Sequence, residues 1–194
     1  MPSPRKVQQQ GVRAAAACLE QGGLILFPTD TVWSVGGDGT DPVTVERLCN
    51  LRGHRHTGDF ELLVHSFPML YTYVEPLHPR LETLLIYHRR PLALFCRGRQ
   101  GLPGRLLQPD GQVAVRMVRD DYSRRLIEYF GRPLVTAFAA RAGHPPPDRL
   151  ESVHPFFLDK VDYVSDAPSA PEATGSPAVL VSLSEKEDLI FHRE

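Results

Sequence analysis

The sequence predicts an α/β protein built around a mixed β-sheet. Helical and strand patterns interleave along the chain, and short continuous apolar runs alternate with amphipathic segments. Two-residue hairpin turns, which would favour an all-β fold, are missing. With 194 residues, of which 42% are hydrophobic and 23% charged, the chain has the composition of a globular protein. We therefore expect a single domain over residues 1–194.

The first half of the chain carries clear helix and strand signals. Residues 5–21 have helical spacing and stop at Gly22 and Gly23, and "GLILFPTD" is typical of a strand buried on both faces and ended by Pro28. "DPVTVERLCNL" predicts a helix with Asp41 as N-cap and Pro42 at its first position. The next predicted elements are the strand "FELLVHS" and the short helix "PMLYTYV".

The second half continues the same alternation. "HPRLETLLIYHR" predicts a helix, "PLALFCR" and "GQVAVRMV" predict strands, and "DDYSRRLIEYFG" predicts a capped helix ended by Gly131. The strand "PLVTAFAA" follows, and "ESVHPFFLDKVDYVSDA" predicts a helix and then a strand. "APSAPEATGSP" is typical of a loop, and "AVLVSLS" and "DLIFHR" are predicted as the last strands.

The stretch "FPTDTVWSVGGDG" is the first candidate site because it follows a buried strand. Loops at strand ends are where α/β proteins bind ligands. Thr29 and Thr31 can donate and accept hydrogen bonds, and Asp30 can accept them. The glycines at 36, 37 and 39 would let a ligand approach the backbone closely. The alternative is a structural turn, capped by the threonines and the aspartate and packed on Trp33.

The same stretch matches neither the P-loop nor the Rossmann fingerprint. It resembles instead the opening signature of the YrdC-like family, which includes the threonylcarbamoyl-AMP synthases. The resemblance continues in order through "VERLCNLRGH", "DGQVAVRMV", "RPLVTAFAARAGHPPP", "DKVDYVSDA" and "SPAVLVSL". It implies a YrdC-like open, twisted mixed sheet with helices packed around it and a central concave pocket.

The resemblance also implies a reaction, in which L-threonine, bicarbonate and ATP with Mg²⁺ give threonylcarbamoyl-AMP for tRNA modification. Its implied substrate-binding residues are Thr29, Thr31 and Arg116. Arg52 and Arg116 would be catalytic, and Arg116 would pair with the carboxylate of threonine through its planar fork. The implied nucleotide-binding residues are Arg52, His54, Phe138 and Arg193, the last with a one-residue ambiguity against His192. The resemblance further suggests contact with tRNA or double-stranded RNA.

Several positions depart from the family pattern, and each change removes a polar group. A basic pair becomes Arg52 and His54, and a lysine falls at Gly58. The Ser-Ala-Asn triplet becomes Phe138, Ala139 and Ala140, and further polar positions hold alanine or valine, at Ala93, Ala178 and Val179. Phe138 would either stack on adenine or fill the cavity. The alternative function is therefore an altered or inactive paralogue that binds nucleotide, double-stranded RNA or a protein partner.

Charge and composition exclude some classes of protein. The net charge of −1 gives no global field that would attract nucleic acid. Three scattered cysteines suggest neither a disulfide framework nor a metal site, and the histidines at 54, 56 and 65 lack the spacing of a known ligand set. No apolar run approaches the roughly 20 residues needed to cross a membrane, and no signal peptide is visible. We expect a cytoplasmic protein without membrane contact and predict no metal-ligating side chains.

Overall fold

The computed structural model of the protein describes residues 4–53, 60–141, 143–170 and 173–194. Six α-helices are found in these ranges: α1 (Pro4–Glu20), α2 (Pro42–Arg52), α3 (Phe67–Tyr73), α4 (Pro79–Tyr87), α5 (Asp121–Phe130) and α6 (Pro155–Leu158). The described strands are β1 (Ile25–Pro28), β2 (Trp33–Asp38), β3 (Glu61–Val64), β4 (Leu92–Arg97), β5 (Gln112–Met117), β6 (Leu134–Phe138), β7 (Tyr163–Val164), β8 (Val179–Leu183) and β9 (Leu189–Arg193). Two short 3-10 turns cover Gly104–Leu106 and Leu150–Ser152.

Two helices begin where the sequence predicts, and α5 also ends at the predicted Gly131. The Asp41 side chain accepts hydrogen bonds from the backbone N–H groups of Val43 and Thr44, and α2 ends at Gly53 in the left-handed region. Helix α5 is likewise capped by the Asp120 carboxylate and ends at Gly131, whose φ is 75°. These caps confirm that local sequence fixes where the two helices start and stop.

The described strands form one mixed sheet in the order β7-β1-β2-β6-β3-β5-β4-β8-β9. Strands β3 and β5 run parallel, as do β4 and β8 and β1 and β7, whereas the other neighbours are antiparallel. The prediction of an α/β fold with a mixed sheet is confirmed.

Both faces of the sheet are covered by hydrophobic side chains. On one face, α1 and α5 pack on a cluster that includes Phe27, Leu63 and Leu134. On the other face, a larger cluster contains Leu26, Leu62 and further side chains from α2, α3 and α4. Burial on both faces explains why several strands are continuous apolar runs in the sequence.

The glycine-rich part of the candidate loop belongs to strand β2. The prediction that its glycines let a ligand approach the backbone closely is wrong. Strand β2 pairs with β1 and with β6, so that Gly36 lies between Ile25 and Thr136. A Cβ atom on Gly36 would lie 2.8 Å from the Cγ2 atom of Thr136, and one on Gly37 would overlap the Thr44 side chain. These glycines therefore allow close packing inside the protein.

The predicted helix and strand near residues 151–167 are shorter than expected. Helix α6 has a single turn, with the His154 Nδ1 atom accepting a hydrogen bond from the backbone N–H of Phe156. Strand β7 has two residues and pairs with the edge of β1. Prolines and glycines flank this region on both sides, and they shorten regular elements.

Candidate functional site

The sheet curls strongly, and this curl builds the candidate site. Strands β6 and β9 are five positions apart in the sheet, which in a flat sheet would separate them by about 24 Å. The guanidinium carbon of Arg193 on β9 nevertheless lies 5.3 Å from the centre of the Phe138 ring on β6. The resulting concave face carries the polar side chains of Glu61 on β3, Arg116 on β5 and Arg193 on β9, together with those of the loop at residues 29–32.

The loop at residues 29–32 joins β1 to β2 and is almost completely buried. Thr29, Asp30 and Thr31 each expose only 1% of their surface. The backbone N–H of Thr29 donates to the Val32 carbonyl across the turn, and that of Trp33 donates to the Pro147 carbonyl. The loop is thus fixed at both ends, and its side chains have defined positions.

The hydroxyl groups of Thr29 and Thr31 form a short chain of hydrogen bonds. The Thr29 hydroxyl donates to the Val32 carbonyl at 3.0 Å, and the two threonine oxygens are 2.8 Å apart. Because Thr29 has one hydroxyl proton and gives it to Val32, the Thr31 hydroxyl donates to Thr29. The lone pairs of the Thr31 oxygen then remain available to accept hydrogen bonds from an ammonium or hydroxyl group.

Arg116 on β5 is buried at the centre of the concave face, with 1% of its surface exposed. Its Nε atom donates to Glu61 Oε2 at 2.7 Å, and its Nη1 atom donates to Asp30 Oδ1. Burial alone would lower the pKa of Arg116, but the charges of Asp30 and Glu61 outweigh burial and raise it. Arg116 is therefore a permanent cation held between two carboxylates.

Glu61, at the start of β3, joins two of the predicted arginines. It accepts from Arg116 and, through its Oε1 atom, from Arg193 Nη2 at 2.5 Å. Burial would raise the pKa of Glu61, but the two guanidinium groups outweigh it and lower the pKa. Glu61 is not among the residues predicted from the sequence. A charged residue inside the apolar run "FELLV" was the available signal, since a buried carboxylate requires a cationic partner.

Asp120, the N-cap of α5, is a second acidic residue of the site that is not among the predicted ones. Its Oδ2 atom accepts from the backbone N–H of Asp30 at 3.1 Å, and its Oδ1 atom accepts from that of Ser123 at 2.7 Å. Burial and the negative charge of Asp30 raise the pKa of Asp120 to about 6, against the lowering effect of the Ser123 N–H. Asp120 therefore positions the loop and titrates close to neutral pH.

A second loop closes over the first from the side of β8. The backbone N–H groups of Thr174 and Gly175 donate to the carbonyls of Asp30 and Thr31, at 3.2 Å and 3.0 Å. Three residues further on, the Ala178 carbonyl accepts from Arg193 Nε at 2.6 Å. The candidate site is thus enclosed by backbone as well as by side chains.

Most of the sequence-predicted residues lie together on this face. Phe138 and Arg193 are in contact, and Arg193 and Arg116 share Glu61. Arg52, at the end of α2, donates to the Ala140 carbonyl just beyond β6, which brings it next to the Phe138 segment. The predicted nucleotide-binding residue His54 and the departure at Gly58 lie outside the described residues.

Two positions that depart from the family pattern are part of an apolar floor. Ala93 on β4 lies opposite Arg116 on one side and opposite Leu180 on the other, so it shares their face of the sheet. The buried cluster on this floor consists of Ala93, Phe95, Ala114, Ala178 and Leu180. Apolar side chains therefore line the sheet next to the Arg116 ion pairs.

A cleft of 630 Å³ opens beside the concave face, which is within the usual size range of a small-molecule site. It reaches from Ala140 on one side to Gly175 on the other, and its wall includes Arg141, Pro147 and His154. The residues described by the structure contain no group of three His, Cys, Asp or Glu side chains that could hold a metal ion. Across the same residues, no helix is long and apolar enough to cross a membrane.

Comparisons with known proteins define the class to which this fold and site belong. The chain belongs to the Sua5/YciO/YrdC family, whose family model, described as "Telomere recombination", matches residues 17–193. The predicted YrdC-like family and fold are therefore confirmed.

Particular members of the family are similar over most of this chain. A threonylcarbamoyl-AMP synthase of Nitrosococcus oceani is 29% identical over 154 residues, which cover 79% of this chain and 83% of that protein. The crystal structure of Pyrococcus abyssi Sua5 complexed with L-threonine matches with a TM-score of 0.84 and 25% identity. That match covers 94% of this chain, which spans about half of the Pyrococcus chain, 53%. Escherichia coli YciO shares the fold, with a TM-score of 0.79, 21% identity and coverage of 100% of this chain and 91% of its own.

Proposed function

We propose that this protein is a threonylcarbamoyl-AMP synthase, which condenses L-threonine, bicarbonate and ATP and releases pyrophosphate. The observation that carries the proposal is the ion pair between Asp30 and Arg116. It holds the loop that carries Thr29 and Thr31 against the strand arginine, so that the buried hydroxyl groups and a buried cation lie on the same part of the protein. The relatives named as threonylcarbamoyl-AMP synthases and the threonine-bound Sua5 structure support the same activity.

In this proposal the amino acid lies against the loop at residues 29–32. The Thr31 oxygen, which has free lone pairs, accepts a hydrogen bond from the amino or hydroxyl group of threonine. The carboxylate of threonine lies near Arg116. Arg116 gives two of its five N–H groups to Glu61 and Asp30, so N–H groups on Nη1 and Nη2 remain to donate to the substrate carboxylate.

The nucleotide would lie between the end of α2 and the curled edge of the sheet. Arg52 and Arg193 supply positive charge there, and the half-buried Phe138 offers an aromatic face for adenine. Mg²⁺ commonly binds proteins through substrate phosphates and keeps several of its waters. Asp30 and Glu61 both pair with Arg116 and do not serve as metal ligands in this arrangement. The residues present therefore fit Mg²⁺ that enters as part of Mg-ATP, where the ion neutralises phosphate charge.

The reaction needs a site that orients three substrates and keeps out water. The amino nitrogen of threonine forms a bond to the carbon of bicarbonate, and water leaves, which gives a carbamate. A carbamate oxygen then attacks the α-phosphorus of ATP, and the bond to pyrophosphate breaks. The burial of Thr31 and Arg116 suits this sequence, because a free carbamate is labile in water.

The product would serve tRNA modification, and direct contact of this chain with tRNA or double-stranded RNA is part of the proposal. An exposed basic group supports it: Arg89 and Arg90 follow α4, and Arg119 donates to the Arg89 carbonyl at 3.1 Å. Arginines grouped in this way bind phosphate oxygens. A cytoplasmic location, where tRNA is modified, belongs to the same proposal.

Pyrophosphate release tests the proposed activity. The purified chain is incubated with L-threonine, bicarbonate and Mg-ATP, and each substrate is omitted in turn. We expect release that depends on all three. Folded protein that binds ATP or threonine in calorimetry and releases no pyrophosphate above a blank without enzyme would instead support the alternative of an inactive, ligand-binding paralogue.

A further inference from the structure

The carboxylate of Asp120 binds two backbone groups that belong to different parts of the protein. Its Oδ1 atom caps α5 by accepting a hydrogen bond from the backbone N–H of Ser123 at 2.7 Å. Its Oδ2 atom accepts from the backbone N–H of Asp30 at 3.1 Å, in the loop at residues 29–32. A helix cap needs one side-chain oxygen, which serine also supplies. The second oxygen of Asp120 therefore has a role of its own.

The second oxygen holds the middle of the loop. The backbone N–H of Thr29 donates to the Val32 carbonyl, and that of Thr31 donates to the Thr29 hydroxyl at 3.2 Å, so both of these bonds stay inside the loop. The N–H of Asp30 lies between them and donates outside the loop, to Asp120. The peptide that joins Thr29 to Asp30 thus takes its orientation from Asp120. The hydroxyl groups of Thr29 and Thr31 lie on either side of this peptide.

A carboxylate at position 120 has a cost that a helix cap does not require. Asp41 caps α2, and its hydrogen bond from the Thr44 side chain lowers its pKa. Burial, followed by the charge of Asp30, instead raises the pKa of Asp120 to about 6. Ionised Asp120 therefore lowers the stability of the fold at neutral pH, and a serine cap would avoid this loss. The contact with the loop accounts for a carboxylate here, whereas the cap alone does not.

We propose that Asp120 is a positioning residue for the amino acid substrate: its ionised carboxylate holds the loop so that Thr31 binds threonine, and protonation of Asp120 weakens this binding. The inference rests on the proposed function, because it concerns the same threonine site. An added proton occupies one carboxylate oxygen and removes the negative charge that strengthens both hydrogen bonds. The bond to Asp30 is the longer of the two, so we expect it to weaken first.

Charged and titratable groups act on Asp120 from several elements. Asp30 in the loop repels its charge, Arg116 on β5 attracts it, and Glu61 on β3 shares Arg116 with Asp30. Tyr122 lies on α5 itself, and burial raises its pKa. The pKa of Glu61 lies below its ordinary value despite burial, because two guanidinium groups outweigh burial. Neither Tyr122 nor Glu61 therefore changes charge near pH 6.

Calorimetric titration with L-threonine tests the proposal at about pH 7.5 and about pH 5, on either side of the pKa of Asp120. We expect the Kd of the wild type to be several-fold higher at the lower pH. Asp120→Ser keeps the cap and loses the bond to the loop, so it should bind about tenfold more weakly at the higher pH and equally at both. It retains all eight histidines, which therefore cannot cause the difference. Asp41→Ser, the same change at the cap of α2, should behave like the wild type.

The backbone amide of Asp30 provides a second measurement that does not need threonine. Its NMR shifts should titrate near pH 6 in the wild type and stay constant in Asp120→Ser. A wild-type Kd that is equal at both pH values, a pH effect that persists in Asp120→Ser, or an Asp30 amide that does not titrate would overturn the proposal. A protein whose Asp30 amide titrates but that binds no threonine at either pH would refute the proposed function, and with it the role of Asp120 in substrate binding.

Discussion

The guanidinium group of Arg193 lies over the ring of Phe138, 5.3 Å from its centre, although 54 residues and five strand positions separate them. This contact joins the last strand of the sheet to a strand near its middle. It also brings together an aromatic face and a cation, which attract each other through the ring quadrupole. The nucleotide part of the proposed site depends on this pair.

Phe138→Leu tests whether this ring binds the nucleotide. Leucine keeps the apolar bulk and removes the aromatic face, so we expect ATP affinity to fall by about tenfold, in keeping with the 1–3 kcal/mol of base stacking. Calorimetric titration with ATP measures this change. Phe130→Leu is the control, since Arg132 lies over that ring at 4.2 Å in a different part of the protein. Unchanged ATP affinity in Phe138→Leu would mean that the ring only fills the cavity.

Thr31→Val tests the threonine side of the site. Valine has nearly the same shape but no hydroxyl, so we expect the KM for L-threonine to rise about tenfold, the effect of one hydrogen bond to a charged group. The control Thr83→Val removes an exposed hydroxyl that donates to the Pro79 carbonyl on α4, and it should leave the KM unchanged. Equal KM values for wild type and Thr31→Val would remove Thr31 from the substrate site.

Glu61→Gln tests the buried ion pairs through stability. The change leaves Arg116 without one of its two carboxylates and removes the carboxylate partner of Arg193. We expect the free energy of unfolding to fall by about 3–5 kcal/mol, as for other buried pairs that lose one partner. Urea denaturation measures the loss. Glu46→Gln, which breaks the exposed pair with Arg105, should have almost no effect, and an equal effect of both substitutions would contradict the account.

Asp120→Asn tests the raised pKa of Asp120. The carboxyl group titrates at about 6 in the folded protein and at an ordinary value of 3.8 in the unfolded chain. The folded state therefore binds the proton more tightly, and Asp120 lowers stability as the pH rises from about 4 through 6. Asparagine cannot ionise, so the variant should gain on the order of 3 kcal/mol relative to wild type over this range. A stability difference between the two proteins that does not change from pH 4 to pH 7 would contradict the raised pKa.

The helices and most strands could be predicted because their signals are local. Asp41 and Asp120 precede helices that end at glycines, and the caps form among residues that are neighbours in sequence. Strand β2 could not be recognised, because glycine has low strand propensity. Its strand conformation depends on β6, about 100 residues further along the chain, which supplies hydrogen bonds along one of its edges. Local sequence does not encode such a distant partner.

The residues of the candidate site also fall into two groups, those that a local motif predicts and those whose partners are distant in the sequence. Thr29 and Thr31 belong to one short loop with a clear motif, and they lie where the sequence predicts. Glu61 could not be assigned a role, because its partners Arg116 and Arg193 are 55 and 132 residues away along the chain. The sequence shows single charges, and only the curl of the sheet determines which of them meet.

The most direct test of the proposed function is the transfer of labelled carbon. The protein is incubated with ¹⁴C-bicarbonate, L-threonine and Mg-ATP, and the nucleotide products are separated by chromatography. We expect an AMP conjugate that carries the label only when L-threonine is present, and we expect Arg116→Lys to form it far more slowly. Folded wild-type protein that forms no labelled AMP conjugate under these conditions would contradict the proposed function.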